Sequence, residues 1–231
     1  MCGRFLLLSS GRELADAFDL PDAPLFERVE RYNVAPGQVV PVVLQADAGR
    51  CLRSMKWGLI PSWAKDAAIG FKSINARSET VADKPTFRAA FKRRHCLVPA
   101  SGFYEWRTVG KKKLPTLFRP RSGLFALAGI WETWEGDGSP VESFALLTTS
   151  ANEVVAPTHD RMPVVIGRED FASWLAPSGE KAKDSQLLRP YSADLMLAAA
   201  ANPWVNDARH GGPKCIEPEQ QAELTFWGES P

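Results

Sequence analysis

Four short strand-like runs follow one another with almost nothing between them: Cys96–Pro99, Phe103–Val109, Leu114–Phe118 and Leu124–Trp134. The last three are joined by Gly110-Lys111-Lys112-Lys113 and Arg121-Ser122-Gly123, segments of turn-forming composition. A parallel connection needs a crossover of about a dozen residues, so links this short predict hairpins. Val39–Ala46 and Arg50–Trp57 predict another hairpin around Asp47-Ala48-Gly49, and Glu142–Thr149 and Pro163–Ile166 read as further strands. Helical signals are fewer. Ser10 with Glu13 forms a capping box that opens a helix over Arg12–Phe18, and Pro21 and Pro24 break the chain after it. A mixed helical segment covers Ser78–Arg94, a helix covers Glu169–Leu175, and another lies near Ser192–Ala200, before a Pro-rich tail. Strands in hairpins with short helices set aside predict an α+β fold, with curved antiparallel sheets forming an open barrel-like core and short helices flanking it. No linker, repeat or composition break appears, so residues 1–231 are expected to form a single domain.

Several function classes are disfavoured by composition. The longest apolar stretches, Leu124–Trp131 and Leu195–Ala201, have 8 and 7 residues. A membrane-spanning helix needs roughly 18, so no membrane partner is expected. The N-terminal apolar patch, Phe5–Leu8, is too short for a secretory signal. Cys2, Cys51, Cys96 and Cys215 are widely spaced and do not pair with His95, His159 or His210 at zinc-finger spacing. No metal or other cofactor is therefore expected. Free thiols suit a reducing compartment, so the expected location is cytoplasmic.

The net charge of +1 hides an asymmetry: residues 1–119 hold 20 Lys and Arg against 11 Asp and Glu, and residues 120–231 hold 8 against 16. The densest basic region runs from Lys72 to Arg94. It reads either as a phosphate-binding surface or as a solvated helix face.

A few residues stand out chemically. Cys2 would become an N-terminal aminothiol if the initiator methionine were removed. Its α-amine, with a pKa of about 7.7–8.0, would be partly unprotonated near neutral pH and able to attack an aldehyde. The thiol could then close a five-membered thiazolidine ring with the advantage of a tethered reactant. The plainer reading is a small buried apolar residue. Asn75 could bond near a reacting carbonyl or simply hold a turn, and Arg77 could bind phosphate. Glu105 sits among aromatics in Gly102-Phe103-Tyr104-Glu105-Trp106, where burial would raise its pKa toward acid–base use, unless it points outward from its strand. His159 could move protons near pH 7 or be tied into a turn. Trp57, Trp63 and Trp106 are candidates for base stacking or for the core. Pro36 could wedge against a base step or shape a loop.

Together these segments resemble the SOS-response-associated peptidase (SRAP) family. The resemblance rests on Met1-Cys2-Gly3-Arg4-Phe5, Arg31-Tyr32-Asn33-Val34-Ala35-Pro36 and Trp57-Gly58-Leu59-Ile60-Pro61-Ser62-Trp63. It also rests on Ile74-Asn75-Ala76-Arg77-Ser78-Glu79-Thr80, Cys96–Trp106 and His159-Asp160-Arg161-Met162-Pro163. It implies a sensor of abasic sites in single-stranded DNA that crosslinks the ring-opened sugar to Cys2 as a thiazolidine; a monomer is expected. It further implies that Asn75 orients the reactants, that Glu105 shuttles protons and that His159 assists ring opening. DNA contacts would come from Arg4, Pro36, Trp63, Arg77, Trp106, Thr149 and Arg161. The family name implies a peptidase step, self-removal of Met1, beside a lyase-like chemistry. Two other readings of the same residues stay open: an N-terminal-nucleophile amidohydrolase using Cys2, and a non-catalytic single-strand binding module.

Overall fold

The computed structural model describes residues 2–21, 27–136, 138–176 and 184–217. Met1, Pro24, Asp137 and the Pro-rich tail, which figure in the sequence reading, lie outside these ranges. The expected α+β architecture is present, built from two curved sheets and short helices.

The larger sheet is barrel-like. It contains β3 (Val39–Ala46), β4 (Gly49–Trp57), β6 (His95–Ala100), β9 (Phe125–Trp134) and β10 (Val141–Ser150). Pairing runs from β10 to β4, β3, β6 and β9, and then returns to β10. Two short strands, β5 (Asn75–Arg77) and β11 (Arg161–Pro163), add to β10. The β10–β4 and β10–β5 pairings are parallel, so this sheet is mixed. The second sheet is antiparallel, in the order β12 (Met196–Ala200), β8 (Lys112–Pro120), β7 (Gly102–Val109), β1 (Arg4–Ser10) and β2 (Arg28–Val34).

The four consecutive runs behave differently from a simple meander. Only β7 and β8 form a hairpin. The chain leaves the barrel after β6, builds that hairpin in the other sheet, and returns as β9 beside β6. Ser101 is the corner. Its amide donates to the Leu6 carbonyl, and its hydroxyl accepts from the Leu8 amide at 2.8 Å. Gly102 follows because a Cβ there would lie 2.5 Å from the Phe118 carbonyl oxygen.

The expected capping box is present: Ser10 caps α1 (Gly11–Phe18), and the Glu13 carboxylate accepts the Ser10 amide at 2.7 Å. The mixed segment resolves into turns and α2 (Arg88–Arg93), and the next helix into a 3₁₀ turn plus α3 (Phe171–Leu175). The expected strand over Pro163–Ile166 begins earlier, at Arg161, while Val164 and Ile166 continue the backbone bonding toward β9 and β10. The helix expected near Ser192–Ala200 is instead a 3₁₀ turn, Ala193–Leu195, leading into β12. Its alanines favour a helix weakly, but the outer edge of β8 offers a full ladder of backbone partners and wins.

Strand β1 was not anticipated, because Phe5-Leu6-Leu7 does not alternate. The structure supplies the reason. Phe5, Leu6 and Leu7 enter three different apolar clusters, so both faces of the strand are covered. Each such side chain contributes roughly 1.5–3 kcal/mol by leaving water.

Gly58, at the exit of β4, has φ +125°, and a Cβ there would lie 2.7 Å from the Gly70 carbonyl oxygen. Both the backbone angle and the space demand glycine. Gly58→Ala is expected to cost roughly 2–4 kcal/mol, read as a shift in urea midpoint. An unchanged midpoint would overturn this account of the close approach.

Candidate functional site

The start of β1 carries Cys2 into the molecule. Cys2 is fully buried, in the same cluster as Phe5, Trp57, Phe103, Phe144 and Met162. Strand β1 pairs with β7 in the register Arg4↔Tyr104 and Phe5↔Phe103, which brings Cys2 toward Glu105. From the other side, β5 is held beside β10 with Asn75 opposite Leu146. The Asn75 side-chain amide donates to the Cys2 carbonyl at 2.8 Å, and Asn75 Oδ1 is buried with no partner among the described residues.

Glu105 is only 3% exposed. Burial pushes its carboxyl up to about 7, and the Asp160 carboxylate adds repulsion. The sequence expectation of a carboxylate in apolar surroundings therefore matches the geometry, and at neutral pH the group can both give and take a proton. The Cys2 thiol is pushed up by burial first and by Glu105 second, so it is held as S–H. Its Sγ contacts the Arg4 carbonyl at 3.7 Å.

His159 ends a compact turn in which the Asn152 side chain accepts the amides of Val154 and Val155. The Arg161 amide donates to His159 Nδ1 at 2.9 Å, which places the ring proton on Nε2. Asp160 also lies 2.9 Å from Nδ1, but that becomes an ion pair only if the ring takes a second proton. Burial lowers the His159 pKa, so the neutral ring is the resting form. Cys2 before β1, Asn75 on β5, Glu105 on β7 and His159 in the turn before β11 thus gather around the start of the chain.

Cations surround this centre. Arg77 is exposed on β5, opposite Thr148 of β10, and Arg161 begins β11, opposite Ser150. Arg4 donates to the Gly3 carbonyl at 2.9 Å and feels the Asp207 carboxylate, while its Nε is buried with no partner among the described residues.

The other expected contact residues are scattered by comparison. Trp106 is half-buried, and its indole N–H donates to Asn206 Oδ1 at 2.6 Å. Trp63 is 58% exposed on the loop after β4, and Pro36 lies in the β2–β3 turn, where the Gln38 amide bonds the Ala35 carbonyl. Trp57 is core, its N–H donating to the Ile74 carbonyl. Thr149 is 4% exposed and its hydroxyl is turned to the Leu188 carbonyl at 3.3 Å.

Residues not singled out in the sequence also shape the site. Glu79 and Thr148 hold Arg161. Asn33 donates to the carbonyls of Val205, Asp207 and His210, which ties residues 205–210 beside Arg4. Glu79 and Asn33 both fall inside quoted motifs, but nothing in the sequence names their partners.

With the geometry in place, comparison with known proteins is informative. The family described as SOS response associated peptidase (SRAP) matches residues 1–208. The abasic site processing protein YoqW of Bacillus subtilis (strain 168) is 39% identical over 222 residues, covering 94% of this chain and 99% of that protein. The abasic site processing protein HMCES of Gallus gallus is 32% identical over 225 residues, covering 81% and 66%. A crystal structure of a Bacteroides thetaiotaomicron protein superposes with a TM-score of 0.83 at 26% identity, covering 94% of this chain and 100% of the other. No helix among the described residues is long and apolar enough to cross a membrane.

Glu105 has a measurable signature. Its folded pKa lies above the unfolded value of about 4.3, so the native state holds this proton more tightly. That stabilisation is complete below pH 4.3 and is lost as pH rises through about 7, after which the buried carboxylate costs up to about 3 kcal/mol. Glu105→Gln is expected to stabilise the protein at pH 8 by about 1–3 kcal/mol and far less at pH 5, read by urea unfolding. Equal shifts at both pH values would contradict the raised pKa.

Proposed function

Because this chain belongs to the SOS response associated peptidase (SRAP) family, we propose that it processes abasic sites in DNA by capturing the ring-opened sugar covalently on Cys2. The carrying observation is the convergence of Cys2, Asn75, Glu105 and His159 on the start of the chain. The partner is single-stranded DNA, whose unpaired backbone can be drawn past the arginines.

The chemistry begins with loss of Met1, a peptidase step that frees the Cys2 nitrogen. That amine attacks C1′ of the sugar aldehyde. Its nitrogen–carbon bond forms as the carbonyl oxygen becomes a hydroxyl. Protonated Glu105 delivers a proton to that hydroxyl, water leaves, and an iminium remains. The Cys2 S–H then gives up its proton to the Glu105 carboxylate as sulfur adds to C1′, closing the thiazolidine. Asn75 Oδ1, with no partner among the described residues, is the acceptor that orients the amine or a sugar hydroxyl. Nε2–H of neutral His159 donates toward the sugar oxygen during ring opening, a lyase-like use of the same groups. Arg4, Arg77 and Arg161 carry the phosphates, and the side chains of Pro36, Trp63 and Trp106 meet bases. Thr149 holds the strand behind Arg161. The protein works as a monomeric, single-domain enzyme of the cytoplasm.

A resting thiol supports this order of events. A cysteine amidohydrolase relies on a lowered thiol pKa, whereas burial here raises it, and so favours the amine as first nucleophile. Cys2→Ala is expected to abolish the heat-stable adduct with an abasic single-stranded oligonucleotide while changing reversible DNA affinity less than about 3-fold, since the phosphate contacts lie elsewhere. Intact-protein mass reports both the missing methionine and the adduct. An adduct persisting in Cys2→Ala, or turnover of small amides without DNA, would overturn the proposal. Glu105→Gln is expected to slow adduct formation by roughly 10²–10⁴-fold, measured by gel shift over time.

A further inference from the structure

Arg161 is not idle in the absence of DNA. Its Nη1 meets Glu79 Oε1 at 2.5 Å, and Nη2 meets Glu79 Oε2 at 2.9 Å. Nη2 also donates to the Thr148 carbonyl at 2.6 Å. The two partners differ in kind. The Thr148 carbonyl is backbone in the middle of the β5–β10–β11 seam, where it also accepts the Ser78 amide at 2.9 Å. Glu79 is a side chain on the rim, 53% exposed, gripping a guanidinium that is itself 12% exposed. The pair is bidentate, and its carboxylate is the partner that water can reach, so it can open from the Glu79 side. If Glu79 swings away, Arg161 stays in place on Thr148 and on its strand register. Its Nε is buried and has no hydrogen-bond partner among the described residues. A bidentate carboxylate and a bidentate phosphate oxygen pair have the same shape and charge sign, so they compete for one fork.

We propose that Glu79 is a built-in competitor for DNA phosphate at Arg161, which lowers affinity for undamaged single strands and so makes lasting retention depend on covalent capture. This rests on the DNA-binding reading above. Glu79 makes no contact with reacting atoms; it acts through Arg161. With the carboxylate in place, the guanidinium adds little net positive charge to the binding face, and an approaching phosphate meets a like charge. With the carboxylate gone, one more phosphate is neutralised and its counterion released.

Salt-dependent anisotropy with an undamaged, fluorescently labelled single-stranded oligonucleotide tests this. Wild type, Glu79→Gln, Arg161→Ala and the double variant are compared, with thermal melts to establish folding and Glu79→Ala as a second substitution. Glu79→Gln is expected to bind about 3- to 10-fold more tightly at low salt, with a slope of log affinity against log salt steeper by about 0.7. The gain should vanish in the Arg161→Ala background. A merely structural Glu79 would give weaker binding with an unchanged slope, and that result overturns the inference. So does unchanged binding, or a gain that survives without Arg161. If the wild type itself fails to bind, the underlying DNA-binding reading falls, and the inference with it.

Discussion

Strand β1 is the element on which the rest depends. It lies between β7 and β2, and its successive side chains Phe5, Leu6 and Leu7 fill three separate clusters. Chain termini fray unless something holds them, because a few hydrogen bonds rarely offset the entropy of ordering the backbone. Here apolar burial on both faces, ladder bonds on both edges and the Asn75–Cys2 bond remove that freedom. The start of β1 is thereby tied down, and Cys2 beside it is buried with its carbonyl bonded to Asn75.

The same burial sets the electrostatics. Low-dielectric surroundings raise the Glu105 carboxyl, hold the Cys2 thiol protonated and lower His159. All three shifts favour the neutral form, which leaves protons available on a carboxyl and a thiol at the pH where an amine is partly free. The cations are arranged differently. They lie outward of this apolar centre, on β1, β5 and β11, where water and counter-charges such as Glu79 and Asp207 moderate them. An apolar centre beside a charged rim is the division that the proposed capture of an abasic sugar calls for.

Much of the fold was legible from short-range signals. The β3–β4 and β7–β8 hairpins announce themselves through turn residues, and α1 through its capping box. The exchange of the chain between sheets around Ser101 was not legible, because a one-residue corner carries no periodic signal and its partners lie about ninety residues away in sequence. Strand β12 was misread as helix for a related reason. Local propensity in an alanine run is weak, and the unpaired edge of β8 decides the outcome. Among the site residues, Cys2, Asn75 and Glu105 drew attention by their chemistry. Glu79 and Asn33 did not, since an ordinary Glu or Asn becomes informative only through its partner.

By itself the amino-acid sequence determined the repertoire: an aminothiol in prospect at position 2, a carboxyl set among aromatics, a histidine in a turn, a basic N-terminal half, and strands joined by links short enough for hairpins. It could do so because residue type and local spacing are properties of the chain alone. Only the tertiary structure decided which of these meet. Residues 2, 75, 105 and 159 come from four separate stretches, and their approach depends on strand register across two sheets, which is set by long-range burial rather than by any neighbour in sequence. The pKa shifts follow the same rule, because desolvation is a property of what surrounds a group in space.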